Sequence, residues 1–299
     1  MVASGILLVD KPGGMTSHDV VARARRALGT RKIGHAGTLD PMATGLLVLG
    51  VEGATRLLTF LVGADKTYTA TIRLGESTDS DDADGLTTSR ADAAALAAVE
   101  DAAVAREVAA LTGVIAQVPS RVSAIKVAGR RAYDLAREGV EVELAARQVR
   151  VSRFDALATR RLDDHVDLEV SVDCSSGTYI RALARDLGTA LGVGGHLTAL
   201  RRERVGPFGV ADATGLDALT PERMLSPAAA ATAVLGAVPV TAEEARDLRH
   251  GKRLPGAADR IPGGIRAAAI DPDGALVGIV EPRGADLKSA MNMPEEKRP

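Results

Sequence analysis

The chain has 299 residues, of which 46% are hydrophobic, and it carries a formal net charge of −2 at pH 7. A chain of this length can bury a large core in one domain or in two unequal ones, and we expect two. Its single cysteine, Cys174, excludes an internal disulfide and gives no basis for a structural metal site.

The sequence has no feature typical of a targeted or membrane-spanning protein. The N-terminal residues carry one short apolar run, residues 6–9, and no basic leader. No later apolar run reaches the roughly 18 residues that a spanning helix needs. We therefore expect a soluble, cytoplasmic protein with no membrane partner.

Charge is distributed unevenly along the chain. Residues 1–75 hold nine Lys/Arg against five Asp/Glu, a net charge of +4, whereas residues 76–110 hold two against nine, a net charge of −7. The near-neutral total gives no sign of a nucleic-acid partner, but this distribution is compatible with a basic face beside an acidic one.

Apolar and alternating runs predict an α+β fold. The predicted strands are residues 6–9, 46–51, 67–74, 149–157, 166–174, 196–204, 266–270 and 276–280. The predicted helices are residues 17–28, 54–61, 91–111, 178–191 and 242–250. Because strands and helices do not alternate regularly, we expect a mixed or antiparallel sheet rather than a doubly wound one.

The C-terminal third changes in composition. Residues 221–237 are rich in alanine, have little amphipathic periodicity and are bracketed by Pro227 and Pro239, so we place a domain boundary there. This gives a large domain of residues 1–220, a small domain of residues 238–285 and a disordered tail of residues 286–299.

The loop GHAGTLDPMATG, residues 34–45, is the strongest candidate for chemistry. Its three glycines allow close backbone approach to a ligand, and Asp40 followed by Pro41 places a carboxylate at a turn. Asp before Pro is also a common turn starter. The loop alone therefore leaves both a catalytic and a purely structural role open.

This loop is one of six segments that occur in the order of a known family. They are DKPGGMTSHDVV (10–21), GHAGTLDPMATGLL (34–47), KTYTATIRLG (66–75), VPSRVSAIKVAGRRAYDLAREG (118–139), CSSGTYIRALARDLG (174–188) and HLTALRRERVGPF (196–208). Together they resemble the TruB family of pseudouridine synthases. The resemblance implies a mixed or antiparallel catalytic domain followed by a small PUA-like RNA-binding domain.

The resemblance implies a catalytic role for three residues. Asp40 matches the catalytic aspartate, whose attack on either the ribose or the base lets the glycosidic bond break. Arg181 matches the arginine that pairs with it, and a nearby guanidinium favours an ionised carboxylate. A surface ion pair is the alternative for Arg181. Tyr68 matches the tyrosine that stacks on the target base and assists in removing the C5 proton.

Three further residues are implied to bind the substrate. His35 matches the histidine that fills the space left by the extruded uridine, and no second ligand at metal spacing suggests a metal role. Tyr179 lies in a matched motif of a chain with only three tyrosines. Leu200 matches the apolar contact on the flipped base, although an ordinary core leucine is the alternative.

The segment near residues 118–150 matches the family's thumb-like insertion, which contacts RNA. Its candidate contacts are Lys126, Arg130 and Arg131, for which a charged run on a solvated helix is the alternative. The acidic run at residues 79–85 (DSDDADG) does not have the spacing of an EF-hand calcium loop.

The implied activity is formation of pseudouridine at position 55 in the T loop of tRNA by base flipping. It requires no metal and no organic cofactor, and the implied enzyme acts as a monomer with tRNA as its partner and no obligate protein partner. Two alternatives are a tRNA-folding chaperone that acts without catalysis and the guide-RNA-dependent synthase of archaea and eukaryotes. Intact Asp40, Tyr68 and Arg181 favour an active enzyme over the chaperone. The guide-RNA-dependent synthase is disfavoured because such proteins work in an assembly and the sequence suggests no long basic tail or partner helix.

Overall fold

The computed structural model describes residues 2–121, 126–127, 130–131, 144–261 and 263–295. The chain forms two compact units: unit 1 contains Met1–Pro41, Gly45–Gly63 and Val205–Pro299, and unit 2 contains Met42–Thr44 and Ala64–Arg204. Unit 1 thus combines segments from both ends of the chain. The predicted domains, residues 1–220 and 238–285, do not coincide with these two units. They stay a prediction about which part of the chain folds by itself.

The elements of the described residues are mostly short. The strands are β1 (Gly5–Lys11), β2 (Ile33–His35), β3 (Thr44–Val51), β4 (Lys66–Leu74), β5 (Glu76–Thr78), β6 (Thr87–Arg90), β7 (Gly113–Gln117), β8 (Lys126–Val127), β9 (Arg130–Arg131), β10 (Arg147–Arg161), β11 (Val166–Cys174), β12 (Gly195–Val205), β13 (Phe208–Gly209), β14 (Ala237–Pro239), β15 (Ala267–Ile270), β16 (Leu276–Arg283) and β17 (Asp286–Asn292). The α-helices are α1 (Ser17–Leu28), α2 (Leu58–Val62), α3 (Ala93–Ala97), α4 (Asp101–Ala110), α5 (Ile180–Ala190), α6 (Pro227–Leu235) and α7 (Ala242–Arg249). Short 3-10 turns cover Glu52–Leu57, Val210–Asp212, Leu216–Ala218, Pro221–Arg223 and Ala258–Arg260.

In unit 1, β3 lies between β1 and β2 and is antiparallel to both. The apolar run Ile6, Leu7, Leu8 and Val9 of β1 is buried, as are nearly all residues of β3. Burial of consecutive residues means that both faces of these strands are covered, which explains why their sequence is apolar rather than alternating. The strands predicted at residues 6–9 and 46–51 are confirmed.

Helix α1 is confirmed, and both of its ends are capped. Thr16 is the N-cap, and its hydroxyl accepts a hydrogen bond from the Asp19 backbone N–H while the Asp19 carboxylate accepts one from the Thr16 N–H. Gly29 ends the helix at a φ of 65°, in the left-handed region that a residue without Cβ adopts at least cost. The buried face presents Val20, Ala24 and other residues at helical spacing, and the arginines lie on the exposed side.

The C-terminal residues of unit 1 form a separate sheet in the order β14-β15-β16-β17, with β14 parallel to β15 and the other pairs antiparallel. This sheet and helix α7 share a core that includes Val238, Leu248, Val280 and Leu287. The disordered tail predicted at residues 286–299 is therefore wrong for residues 286–292. That strand has a largely polar sequence, and its order comes from the ladder with β16 and from Leu287, which is fully buried.

The alanine-rich segment before this sheet is also ordered. Pro227 is the first residue of α6, and the Ser226 hydroxyl accepts a hydrogen bond from the Ala229 backbone N–H. A helix that is apolar on every side gives no amphipathic signal. The sequence therefore indicates a linker where the structure has a helix that buries Ala230 and Ala231.

Unit 2 is built on five strands in the order β12-β4-β11-β10-β7. The pairs β4–β11, β10–β11 and β7–β10 are antiparallel, and β4 alternates buried and half-buried residues along its whole length. The α+β class with a mixed or antiparallel sheet is confirmed. The single helix predicted at residues 91–111 is two helices, α3 and α4, and the break between them lets Leu96, Val99 and Val104 all be buried.

Candidate active site

The backbone on both sides of Asp40 is held by buried side chains of unit 1. Ser17, which is 1% exposed, donates its hydroxyl hydrogen to the Leu39 carbonyl oxygen at 3.1 Å and accepts a hydrogen bond from the Leu39 N–H at 2.9 Å. After Asp40, the Pro41 carbonyl oxygen accepts hydrogen bonds from the Gly14 N–H at 2.9 Å and from Lys11 Nζ at 3.3 Å. The aspartate thus lies on a loop whose backbone is fixed on either side.

Lys11 is a fully buried cation in this arrangement. Its ammonium also donates to the carbonyl oxygens of Pro12 at 2.9 Å and Met15 at 2.8 Å, so three backbone dipoles replace its lost water. The turn at residues 12–15 and the Asp40 loop are thereby joined through one side chain. This geometry gives Lys11 a structural role.

His35, at the end of β2, is half-buried in the same unit. Its ring makes an edge-to-face contact with His18 at 5.5 Å between centroids. The structure therefore places His35 in the segment leading into the Asp40 loop. Its substrate role stays a prediction.

Arg181 lies in unit 2, in the first turn of α5, and is only 3% exposed. Its guanidinium lies 3.3 Å from an Asp82 carboxylate oxygen and donates to the Ser80 carbonyl oxygen at 2.9 Å. A buried cation at the positive end of a helix needs such compensation, because desolvation and the helix dipole both disfavour it. The surface ion pair considered for Arg181 is excluded by its burial.

The acidic run at residues 79–85 is the part of this site that sequence analysis missed. It predicts a polar loop, but Ser80, Asp81 and Asp82 are buried against α5. Asp81 has a positive φ of 62° and lies 3.1 Å from Arg185, and burial raises the pKa of its carboxyl. The available signal was the clustering of acids in a region of net charge −7, which pairs naturally with the arginines of α5.

Tyr68 lies on β4 and is 8% exposed. Lys66, two residues earlier on the same strand face, is buried opposite Cys174 in the β4–β11 register. Burial and the neighbouring Arg202 cation lower the pKa of Lys66 to about 8, and burial raises the pKa of Cys174 to about 11. Tyr68 thus lies on the same strand as a buried cation, Lys66.

Tyr179 precedes α5, and its backbone is held by Gln117 of β7. The Tyr179 N–H donates to the Gln117 side-chain oxygen at 2.9 Å, and the Gln117 amide donates to the Tyr179 carbonyl oxygen at 3.1 Å. Gln117 is 1% exposed and is a second residue that sequence analysis missed. Leu200 of β12 is 7% exposed, which fits the core leucine and leaves its substrate contact a prediction.

The predicted site residues are thus divided between the units: His35 and Asp40 belong to unit 1, and Tyr68, Tyr179, Arg181 and Leu200 belong to unit 2. The predicted thumb lies largely outside the described residues. Within it, Lys126 pairs with Arg131 and Val127 pairs with Arg130 in an antiparallel backbone ladder. This corrects the solvated-helix alternative at these positions, while the side chains of Lys126, Arg130 and Arg131 lie outside the described part.

The described residues contain neither a metal-binding cluster nor a membrane-spanning helix. Across residues 2–121, 144–261 and 263–295 no three His, Cys, Asp or Glu side chains are grouped so that they could hold a metal ion. In the same part of the chain, no helix is both long enough and apolar enough to cross a membrane.

Comparison with known proteins gives a consistent result over the whole chain. The model of the TruB family pseudouridylate synthase N-terminal domain matches residues 25–180, and two C-terminal domain models for tRNA pseudouridylate synthase B and tRNA pseudouridine synthase II match residues 181–235 and 235–294. A tRNA pseudouridine synthase B of Leifsonia xyli subsp. xyli is 57% identical over 298 residues, covering 99% of each chain. Another from Nocardia farcinica is 58% identical over 283 residues, covering 94% of this chain and 90% of the relative.

A solved Cbf5-Nop10-Gar1 complex contains a chain of similar fold, with a TM-score of 0.70 and 25% identity over 98% of this chain and 84% of that one. The fold and the sequence matches define a pseudouridine synthase, an isomerase that acts on RNA. Within that class, the chain belongs to the TruB family of pseudouridylate synthases.

Proposed function

We propose that this protein isomerises uridine 55 in the T loop of tRNA to pseudouridine, with Asp40 as its catalytic carboxylate. The observation that carries the proposal is the 57% identity, over 99% of both chains, to a relative named for tRNA pseudouridine synthesis. The protein works in the cytoplasm as a monomer, without an obligate protein partner, a metal or an organic cofactor.

The guide-RNA-dependent alternative has less support. The chain found in the Cbf5-Nop10-Gar1 complex is 25% identical to this one, less than half the identity of the tRNA-specific relatives. The proposal therefore assigns substrate selection to this chain itself rather than to a guide RNA.

The reaction rearranges the nucleotide without gain or loss of atoms. The bond between C1′ and N1 breaks, the uracil turns, and a bond between C1′ and C5 forms, while the proton leaves C5 and N1 gains one. Asp40 supplies the nucleophilic carboxylate for attack on either the ribose or the base. The fixed Leu39 and Pro41 backbone supports this role, because a held nucleophile loses little freedom in the reaction.

The remaining site residues have complementary proposed roles. Arg181 keeps Asp40 ionised, and Asp82 keeps the Arg181 guanidinium in place at 3.3 Å. Tyr68 stacks on the flipped base and accepts the C5 proton, with Tyr179 and Leu200 completing the base pocket. His35 fills the gap that the base leaves in the T loop.

Release of tritium from tRNA labelled at uridine C5 tests the proposal. The wild-type protein should release one tritium per tRNA, both from unmodified full-length tRNA and from an isolated T-arm hairpin. Asp40→Asn should abolish release while keeping RNA affinity within about tenfold, or about 1.4 kcal/mol, because phosphate and loop contacts supply most of the binding. Turnover by Asp40→Asn near the wild-type rate would refute the role of Asp40, and an inactive wild-type protein that still binds tRNA would favour the chaperone alternative.

A further inference from the structure

We propose that the exposed face of α1 and the loop that follows it bind the phosphate backbone of an RNA stem. This α1 basic patch consists of Arg23, Arg25, Arg26, Arg31 and Lys32, all of which are exposed. The proposal rests on the proposed function, since it names the surface that holds the same RNA outside the reacting nucleotide.

The patch lies on a rigid support. Both ends of α1 are capped, and the buried face of the helix anchors it to unit 1. Arg23 and Arg26 are three residues apart, so their side chains lie on neighbouring turns of the exposed face. Arg25 donates to the Ile33 carbonyl oxygen at 3.1 Å, which ties the following loop to the helix. The backbone that carries these cations is therefore held in place.

The cations of the patch have few acidic neighbours within the described part of the protein. No carboxylate there forms an ion pair with Arg23, Arg26, Arg31 or Lys32. Of the two acids on adjoining positions, Asp19 closes the capping box of α1, and its pKa is lowered by the Thr16 hydrogen bonds and also by the Arg23 cation. Glu52 accepts a hydrogen bond from the Thr30 hydroxyl.

Three exposed arginines of unit 2 do pair with carboxylates. Arg150 pairs with Asp65 at 3.1 Å, Arg161 with Asp101 at 2.6 Å, and Arg106 with Glu107 at 3.0 Å. In a chain of net charge −2, the α1 basic patch instead gathers five exposed cations on one helix and its loop. Stabilisation of the helix dipole accounts for Arg25 and Arg26 in the last turn, but it does not account for Arg23, Arg31 and Lys32.

A nucleic-acid backbone is the partner that fits this surface. Phosphates are closely spaced and carry condensed counterions, and an exposed cation that replaces a counterion gains affinity through its release. Arginine also binds a phosphate through two parallel hydrogen bonds. Such contacts position an RNA without reading its bases, which suits an enzyme that must bind many tRNA sequences.

The test is the salt dependence of the dissociation constant for unmodified full-length tRNA, measured across a series of KCl concentrations. Arg23→Ala with Arg26→Ala should reduce the slope of log K against log salt by about 0.7 to 0.9 for each lost phosphate contact. The Arg23→Lys, Arg26→Lys variant keeps both charges and should retain most of the slope. The control Arg106→Ala, Arg161→Ala removes two exposed arginines that are already paired, and its slope should not change.

An unchanged slope in the Arg23→Ala, Arg26→Ala variant, or an equal decrease in the Arg106→Ala, Arg161→Ala control, would overturn the proposal. Alanine favours helix, so α1 should stay folded, and far-UV circular dichroism checks this. Turnover of the wild-type protein separates the two proposals. If it isomerises tRNA while the patch variant binds with normal salt dependence, only the patch is wrong, and if it is inactive, the proposed function fails independently of the patch.

Discussion

At the scale of single residues, one buried hydroxyl, that of Ser17, helps to hold the backbone of the Asp40 loop. Ser17 is the first residue of α1 and follows the N-cap, Thr16. Ser17 exchanges two hydrogen bonds with Leu39, immediately before the proposed catalytic carboxylate. Its role is therefore to position the loop.

Replacing Ser17 with Ala should lower both stability and turnover. Removing the hydroxyl leaves a buried Leu39 N–H and carbonyl unpaired, at a cost of about 1–3 kcal/mol in the free energy of unfolding. The loosened loop should lower kcat more than it raises KM, since binding is spread over other contacts. Urea unfolding and tritium release on the same preparations measure the two effects.

The matched control is Ser226→Ala, which removes the N-cap of α6 in the same unit. It should cost about 1 kcal/mol of stability and leave kcat unchanged. If Ser17→Ala lost only as much activity as Ser226→Ala, loss of stability alone would explain the effect and Ser17 would have no positioning role.

At the scale of secondary-structure elements, strand β4 carries a buried cation next to a proposed catalytic residue. Lys66 faces Cys174 of β11 and the Arg202 cation of β12, and Asp65 precedes it in the chain. A buried ammonium beside another cation is held in the folded state at a cost in free energy. That cost makes the stability of the protein depend on pH.

The direction of this pH dependence follows from the pKa of Lys66 in the folded and in the unfolded state. The pKa of Lys66 is about 8 in the folded protein and about 10.4 in an unfolded chain, so between these values the unfolded state binds more protons and the free energy of unfolding rises with pH. Below pH 8 the full cost of about 3 kcal/mol is present. Lys66→Met should therefore be more stable than the wild type at pH 7, and this advantage should shrink as the pH approaches 10.

Urea unfolding of both proteins at several pH values between 7 and 10 measures this difference. Lys252→Met is the control, because Lys252 is 65% exposed at its side chain and its replacement removes the same group from the surface. A stability difference between Lys66→Met and wild type that stays flat with pH would show that Lys66 is not a strained buried cation. Cys174, whose pKa is raised to about 11 in the folded protein, loses its proton at about pH 8.5 in an unfolded chain and lowers the stability of both proteins above that pH. The comparison therefore uses the difference between the two proteins at each pH, from which this contribution largely cancels.

Some secondary-structure elements can be predicted from the sequence, and others cannot. Strand β11 is found at the predicted residues 166–174, because apolar and polar residues alternate along it. Strand β17 is not predictable in this way, since its order depends on a ladder with β16 and one buried leucine. For the site, ordered motifs predict Asp40 and Arg181, but the burial of Asp82 depends on how a polar loop folds onto α5, which no local pattern encodes.

At the scale of the whole molecule, unit 1 draws on both ends of the chain. Residues beyond 204 pair with β1: Thr214 bridges Val9, and Leu225 exchanges two backbone hydrogen bonds with Ile6 at 2.9 and 2.8 Å. The C-terminal sheet also reaches the N-terminal segment, since Arg56 donates to the Asn292 carbonyl oxygen at 2.8 Å. A catalytic domain ending at residue 220 would lack several of these contacts.

Residues 1–220 expressed alone should therefore be less stable than the full chain. The cut removes the Leu225 hydrogen bonds from β1 and removes α6, which packs against Leu57 and Leu61 of the segment covering β3. Leu57 and Leu61 are 3% and 2% exposed in the full chain, and exposing two leucines and two backbone pairs costs several kcal/mol, at about 1.5–3 kcal/mol for each side chain. The fragment should unfold at a lower urea concentration and bind a hydrophobic dye. A fragment that ends after Leu235 keeps α6 and should recover most of this stability. If residues 1–220 unfolded at the same urea concentration as both the longer fragment and the full chain, the predicted boundary would be that of an independently folding domain.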